Sequence, residues 1–197
     1  MNEQIKEIKQ SFRLMMDGSV AQSMRDKGVD YHLNWGATLP RLRQKADEIG
    51  KNYELAIALW KENVRECKIL ATMIMPADEI LPEVVDIWME QTDTIEIAEQ
   101  AAMNLYQYLP YAPVKAFEWI ASDRDLYQLC GFHVLSRLFM NHQEPNERGI
   151  NEFLDQAHVA LQSKNVSVRK AALNSLNRFA ELGLVYERLA NSIFKRL

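Results

Sequence analysis

Residues 93–110, DTIEIAEQAAMNLYQYLP, show the helical pattern from which the fold of the chain is predicted. Apolar side chains recur through this stretch at helical spacing, and polar residues separate them. Asp93 is a favourable N-cap and Pro110 is a residue that ends helices, so the stretch is predicted to form one amphipathic helix. Its first turn carries two carboxylates, Asp93 and Glu96, which are candidates for helix capping and for chemistry.

The same pattern occurs in three other predicted helices. A small residue is followed four positions later by a larger apolar one, and the aligned pairs are Ala71 and Met75, Ala101 and Leu105, Gly131 and Leu135, and Ala172 and Leu176. The small residue lets a neighbouring helix approach closely, and the larger one fills the groove. The intervals of 30, 30 and 41 residues suit stacked helix pairs of the HEAT type. A plain helical bundle would show similar amphipathicity and is the alternative.

The remainder of the chain shows the same helical periodicity, and no stretch predicts a strand. Helices are predicted at residues 2–17, 19–27, 39–49, 53–63, 64–75, 78–91, 113–121, 124–140, 147–162, 165–182 and 184–197. The sequence therefore predicts an all-α, HEAT-like repeat solenoid of stacked antiparallel helix pairs, forming a single domain over residues 1–197. Stacked pairs curve, and the second helix of each pair is expected to line the concave surface.

Composition excludes several classes of protein. An apolar content of 48% and a charged content of 25% are ordinary for a soluble globular chain, and the formal charge of −4 argues against a generally basic nucleic-acid-coating protein. The charged N-terminus and the lack of a long apolar run predict a cytoplasmic protein with no membrane association. Cys67 and Cys130 are predicted to be buried, reduced thiols. No metal or cofactor is expected, because the histidines have no ligand spacing and no phosphate-binding loop occurs.

Several segments resemble the AlkD-like DNA alkylation repair proteins, and the resemblance extends over roughly residues 12–182. The segments are SMR at residues 23–25, NWGATLPRLR at 34–43, Leu59-Trp60, RECKILA at 65–71 and WIASD at 119–123. The resemblance implies a HEAT-like solenoid whose concave face binds duplex DNA.

For active members, the resemblance also implies a DNA glycosylase that releases N-alkylated purines such as 3-methyladenine and 7-methylguanine. An alkylated purine is already a good leaving group. A carboxylate that stabilises the oxocarbenium-like sugar and positions water can therefore suffice for the chemistry.

The residues that the family uses for this chemistry are mostly different here. In chain order, two tryptophans correspond to Gln91 and Thr92, the catalytic aspartate to Glu96 or Asp93, an arginine to Leu129 and a last tryptophan to Asn174. A leucine cannot replace a guanidinium. The comparison implies a divergent member without most of the standard glycosylase site, in which Glu96 and Asp93 are the candidate catalytic residues.

Charge is distributed unevenly along the chain. Residues 76–125 contain eleven Asp or Glu and only two Lys or Arg, whereas residues 160–197 carry a net charge of +5. Acidic groups repel phosphates, so DNA contacts are expected toward the two ends of the chain. The candidate DNA- or partner-binding residues are Arg41, Arg43, Arg65, Lys68, Lys164, Arg169, Lys170, Asn174 and Arg178.

These candidates also have structural interpretations. Asp93 and Glu96 fit a capping box, in which Glu96 would bond back to the backbone N–H of Asp93. Arg65, Glu66 and Lys68 fit an exposed charged face. The four tryptophans lie in apolar patterns and are predicted to belong to the core.

Three functions are consistent with these observations. The first is a divergent family member that binds damaged or non-standard DNA, or another partner, without the standard glycosylase site. The second is an active glycosylase for alkylated duplex DNA, with Glu96 or Asp93 as its carboxylate. The third is a protein–protein scaffold whose acidic middle binds a basic partner.

Overall fold

The computed structural model describes residues 1–29 and 31–196, and within these ranges it contains helices but no strand. This confirms the predicted all-α class. The helices are α1 (Asn2–Leu14), α2 (Gly18–Asp26), α3 (Leu39–Ile49), α4 (Tyr53–Trp60), α5 (Arg65–Ile74), α6 (Pro82–Glu90), α7 (Ile95–Asn104), α8 (Ala112–Ile120), α9 (Asp125–Met140), α10 (Glu147–Leu161), α11 (Val166–Ala180) and α12 (Leu184–Phe194), with a 3-10 helix at Tyr106–Tyr108.

The contacts of the chain group into two compact units, Met1–Leu105 and Tyr106–Leu197. In the first unit α4 packs against α5, and α5 packs against α3 and α7. In the second unit α8 pairs with α9, α10 pairs with α11, α9 packs against α11, and α12 covers α10 and α11. Within each unit, second members of helix pairs therefore pack on one another, as stacked repeats require. The single domain over residues 1–197 stays a prediction.

The stretch 93–110 forms two elements instead of the one predicted helix. Helix α7 begins after Thr94, whose Oγ1 accepts the backbone N–H of Ile97 at 3.3 Å, so Thr94 and not Asp93 is the N-cap. The helix ends at Asn104, and the backbone of its C-cap, Leu105, turns to φ −132° and ψ −60°. The following 3-10 helix buries Tyr106 in the core, and Leu109 directly after it is also buried. The chain thus leaves the helix before Pro110, because apolar residues beyond Leu105 reach the core through a tighter turn.

The small residues of the repeated pattern lie where helices approach closely. Ala71, Ala101 and Ala172 are completely buried. At Gly131, an added Cβ would lie 2.8 Å from the carbonyl oxygen of Ala116 and 2.9 Å from the backbone nitrogen of Ile120. Helices α8 and α9 therefore pack backbone to backbone at this glycine.

The predicted core residues are confirmed by their burial. All four tryptophans are at most 7% exposed. Trp60 and Trp88 stack face to face, with ring centroids 4.2 Å apart and planes 3° from parallel. Cys67 and Cys130 are buried free thiols, and burial raises the pKa of Cys67 to about 12. A thiol with such a pKa stays protonated at neutral pH, so it has no nucleophilic character there.

Candidate functional site

Glu96 lies in the first turn of α7 and is held by side chains from two other parts of the first unit. Its Oε1 accepts Nη2 of Arg65 at 2.6 Å, and its Oε2 accepts Nε of Arg65 at 2.8 Å. The same Oε2 accepts the hydroxyl of Tyr31 at 2.6 Å, and that hydroxyl also lies 3.1 Å from Oγ1 of Thr94. Both carboxylate oxygens are therefore engaged in a bidentate ion pair supported by a phenol.

Arg65 uses its remaining donors inside the protein. Its Nη1 donates to the carbonyl oxygen of Ala37 at 2.9 Å and to Oε1 of Glu66 at 3.2 Å. The arginine side chain is only 2% exposed, and that of Glu96 is 22% exposed. Arg65 therefore does not present its charge to solvent, contrary to the prediction of an exposed charged face.

Glu66 anchors the extended segment that precedes α3. Its Oε1 accepts the backbone N–H groups of Trp35 and Ala37, both at 3.2 Å. The backbone N–H of Arg65 donates to the carbonyl oxygen of Leu33 at 3.0 Å. Glu66 is completely buried, and its Oε2 has no hydrogen-bond partner among the described residues. We call Tyr31, Arg65, Glu66 and Glu96 the Arg65 cluster.

The cluster sets the protonation of its members. Burial by itself would raise the pKa of Glu96, but the hydrogen bonds and charge of Arg65 outweigh burial and lower that pKa below its ordinary value. Burial and the hydrogen bond to Glu96 raise the pKa of Tyr31. At neutral pH the cluster thus contains an ionised carboxylate, a guanidinium and a neutral phenol.

This geometry restricts what Glu96 can do chemically. A carboxylate stabilises a developing positive charge best when no cation already neutralises it. Here a guanidinium binds both oxygens, so a sugar cation would have to compete with Arg65. The predicted capping box is wrong, because the Glu96 side chain bonds to Arg65 and Tyr31 instead of the Asp93 backbone. Asp93 itself is exposed and precedes the N-cap of α7.

The other positions compared with the family also have structural partners. Oε1 of Gln91 accepts the indole N–H of Trp60 at 2.8 Å, and Oγ1 of Thr92 donates to the carbonyl oxygen of Trp88 at 2.8 Å. Nζ of Lys68 lies 5.2 Å from the centroid of the Trp60 ring and donates to the carbonyl oxygen of Gln91 at 3.1 Å. Lys68 is therefore tied to the end of α6.

In the second unit, Leu129 is buried at 2% exposure, so it is a core residue of α9. Asn174 on α11 is exposed, and its Nδ2 donates to Oγ of Ser136 at 3.0 Å. This hydrogen bond joins α9 to α11 and leaves one side of the Asn174 amide at the surface.

The predicted basic residues of α11 and its preceding loop differ in accessibility. Lys164 and Lys170 are exposed. Arg169 is partly covered and donates to the carbonyl oxygen of Ser163. Arg178 pairs with Glu181 at 2.8 Å, one turn further along the helix. Lys164 and Lys170 are thus the cations of this group that the structure leaves most accessible.

The basic group in the first unit lies on α3. Arg41 and Arg43 are exposed, and Nη1 of Arg41 approaches the carbonyl oxygen of Met15 at 3.4 Å. Lys45 pairs with Glu48 at 3.1 Å. Arg41 and Arg43 can therefore reach an external anion without breaking a strong ion pair.

The described part of the chain has neither a metal-binding cluster nor a membrane-spanning helix. Over residues 1–29 and 31–196, no three His, Cys, Asp or Glu side chains are grouped as a metal site requires. Within the same ranges, no helix has the length and apolar character needed to cross a membrane.

Tyr31 was not a candidate from the sequence, and Glu66 was predicted to lie on an exposed charged face, which its complete burial contradicts. Their partners lie 65 and 31 residues away in the chain, at Glu96 and Trp35 respectively. The sequence feature that could have indicated a buried charged cluster was the Arg65-Glu66 pair at the start of an otherwise apolar helix. Charged residues next to buried positions require partners, and such partners come from distant segments.

Comparisons with known proteins agree with this architecture. A family model described as DNA alkylation repair enzyme matches residues 8–182. A solved structure described as belonging to "a new family of proteins related to the HEAT-like repeat DNA glycosylases with affinity for branched DNA structures" superimposes with a TM-score of 0.86 and 19% sequence identity. The alignment covers 96% of this chain and 81% of that one, which confirms the predicted HEAT-like repeat fold. No curated protein sequence matches the chain.

Proposed function

The chain belongs to the DNA alkylation repair enzyme family, and we propose that it binds DNA without excising bases by the family's carboxylate chemistry. One observation supports the absence of the family's carboxylate chemistry. Glu96, at the position compared with the catalytic aspartate, has both oxygens bound by Arg65 and one also by Tyr31. Arg65 is consequently not one of the DNA contacts that we propose.

DNA binding is supported by accessible cations in both units. Arg41 and Arg43 are exposed on α3, and Lys164 and Lys170 are exposed at α11. Exposed lysines and arginines bind phosphates through counterion release, which needs no base-specific group. Asn174 has a free amide edge on the same helix as Lys170 and can add a hydrogen bond to a phosphate or sugar.

Binding can be tested with fluorescently labelled DNA in an anisotropy titration. The probes are a linear duplex and a four-way junction of equal length, because the similar solved structure is described as having affinity for branched DNA. We expect binding whose affinity falls steeply between about 50 and 200 mM salt. Absence of binding to both probes at the lower salt concentration would refute the DNA proposal.

The glycosylase alternative makes a different prediction for alkylated DNA. Wild-type protein is incubated with methylated duplex, and released 3-methyladenine and 7-methylguanine are measured by chromatography. We expect no release above that of the protein-free control. Release that is lost in both Glu96→Gln and Asp93→Asn variants would contradict the proposal and assign the chemistry to these carboxylates.

A scaffold function remains the alternative if DNA does not bind. Its basis is the run of residues 76–105, which contains eight Asp or Glu and no Lys or Arg. Such a surface attracts basic proteins and repels phosphates. Under this alternative the binding assay gives no signal with either DNA probe.

A further inference from the structure

Helix α6 presents a solvent face that is both acidic and apolar. Glu83, Asp86 and Glu90 are exposed along it, and Ile87 between them is 54% exposed. Leu81, which precedes the helix, is 60% exposed. An exposed isoleucine surrounded by carboxylates is complementary to a surface with apolar and positive groups, and it is unsuited to DNA.

Helix α12 presents a face of the opposite charge. Leu184 is 74% exposed and Val185 is 66% exposed at its start. Arg188, Asn191 and Lys195 are exposed further along. Helical spacing aligns Leu184 with these three residues on one side of α12. This face thus has an apolar beginning, and its two positive groups outnumber the one exposed carboxylate beside them, Glu187.

From these two faces we propose that copies of this chain associate head to tail, with α6 of one copy packed against α12 of another. The exposed apolar residues of the two helices cover each other. Glu83 of one copy lies beside Arg188 of the other. Because the two surfaces differ, the contact is heterologous, and an open assembly keeps one free α6 face and one free α12 face at its ends unless a ring closes.

The size of these two faces limits the expected affinity of the contact between copies. A stable interface buries about 1,200–2,000 Å² in total, and two single helix faces bury less. We therefore expect a transient contact with a dissociation constant on the order of 100 µM, which corresponds to a binding free energy of about −5.5 kcal/mol. The ion pairs lie at the rim of the contact, so added salt weakens it.

The first test is the behaviour of the wild-type chain on dilution, without DNA. Sedimentation velocity should show reversible association that decreases with dilution and with salt. Backbone amide NMR signals that shift on dilution should belong to α6 and α12. A protein that stays monomeric at about 1 mM and low salt, or shifts confined to other helices, would overturn the proposal.

The second test exchanges the charges of one pair. Glu83→Arg and Arg188→Glu are each expected to weaken association by roughly tenfold, because like charges then face each other. The double variant Glu83→Arg with Arg188→Glu restores opposite charges and should regain association. Glu54→Arg, which changes an exposed carboxylate on α4, is the matched control and should leave association unchanged.

The charge exchange separates the proposed contact from general electrostatic attraction. If the control variant weakens association as much as Glu83→Arg, or if the double variant fails to regain it, the proposed pairing is wrong. These outcomes do not depend on DNA binding, because α11 and α3 are unchanged in every variant. Failure here therefore leaves the proposed function intact.

Discussion

Arg65 distributes its donors over two carboxylates and one backbone carbonyl, and each acceptor comes from a different segment of the first unit. Glu96 belongs to α7, Glu66 to α5 and Ala37 to the extended segment before α3. Removing any one acceptor leaves the guanidinium partly paired, whereas removing the guanidinium leaves two carboxylates without their cation. The arginine is thus the member of the cluster on which the others depend most.

We predict that Arg65→Leu destabilises the protein by about 3–5 kcal/mol, since it leaves buried Glu66 and partly buried Glu96 uncompensated. Urea unfolding followed by circular dichroism measures the loss. Arg43→Leu is the matched control, because Arg43 is exposed on α3, and its effect should stay within about 0.5 kcal/mol. A loss below about 1 kcal/mol for Arg65→Leu would mean that the ion pairs contribute little.

The lowered pKa of Glu96 predicts a pH dependence of stability. The group binds protons more weakly in the folded chain than in the unfolded one. Its stabilising contribution is therefore present above the ordinary glutamate pKa and is lost as the pH falls through the lowered folded value. The stability difference between wild type and Glu96→Gln should be constant near neutral pH and shrink upon acidification below about pH 4. Urea unfolding over a pH series tests this, and a difference that does not shrink would contradict it.

At the scale of elements, the contact between α8 and α9 depends on a residue without a side chain. An added Cβ at Gly131 would lie within 3 Å of two backbone atoms of α8, which cannot move aside as a flexible side chain would. Helix propensity and packing therefore act in opposite directions at Gly131.

We predict that Gly131→Ala destabilises the protein by about 1–3 kcal/mol although alanine favours helices by roughly 1 kcal/mol. Gly18→Ala is the control, because Gly18 begins α2 with open space around it and its substitution should be neutral or slightly stabilising. Thermal unfolding of both variants gives the comparison. Equal changes in the unfolding temperature of the two variants would show that α8 and α9 can move apart without a loss of stability.

Periodicity was enough to predict most helices and the all-α class, since this signal is local, whereas the capping residue predicted for α7 was wrong. The repeat of small residues also predicted which helices pack closely, as Gly131 shows. The break at Leu105 could not be predicted, because it depends on where Tyr106 and Leu109 reach the core. The burial of Arg65 could not be predicted from the sequence either, because its partners Glu96 and Ala37 lie 31 and 28 residues away in the chain.

At the scale of the whole molecule, the chain combines a repeat fold with an uneven distribution of charge. Its formal charge is −4, yet residues 160–197 carry a net of +5. A DNA phosphate approaching this chain is repelled on average and attracted locally, so the position of contact is determined by electrostatics before any specific bond forms. The accessible cations at α11 should therefore contribute to both the affinity for DNA and its salt dependence.

We predict that the double variant Lys164→Gln with Lys170→Gln weakens binding to a linear duplex and to a four-way junction alike, because phosphate contacts carry no sequence information. Loss of two phosphate contacts should reduce the slope of log affinity against log salt by about 2. Lys6→Gln with Lys61→Gln is the charge-matched control, since both lysines are exposed in the first unit and outside the proposed contacts. Anisotropy titrations at several salt concentrations measure the slopes. If both double variants reduce the slope equally, DNA responds only to net charge, and α11 is not a binding surface.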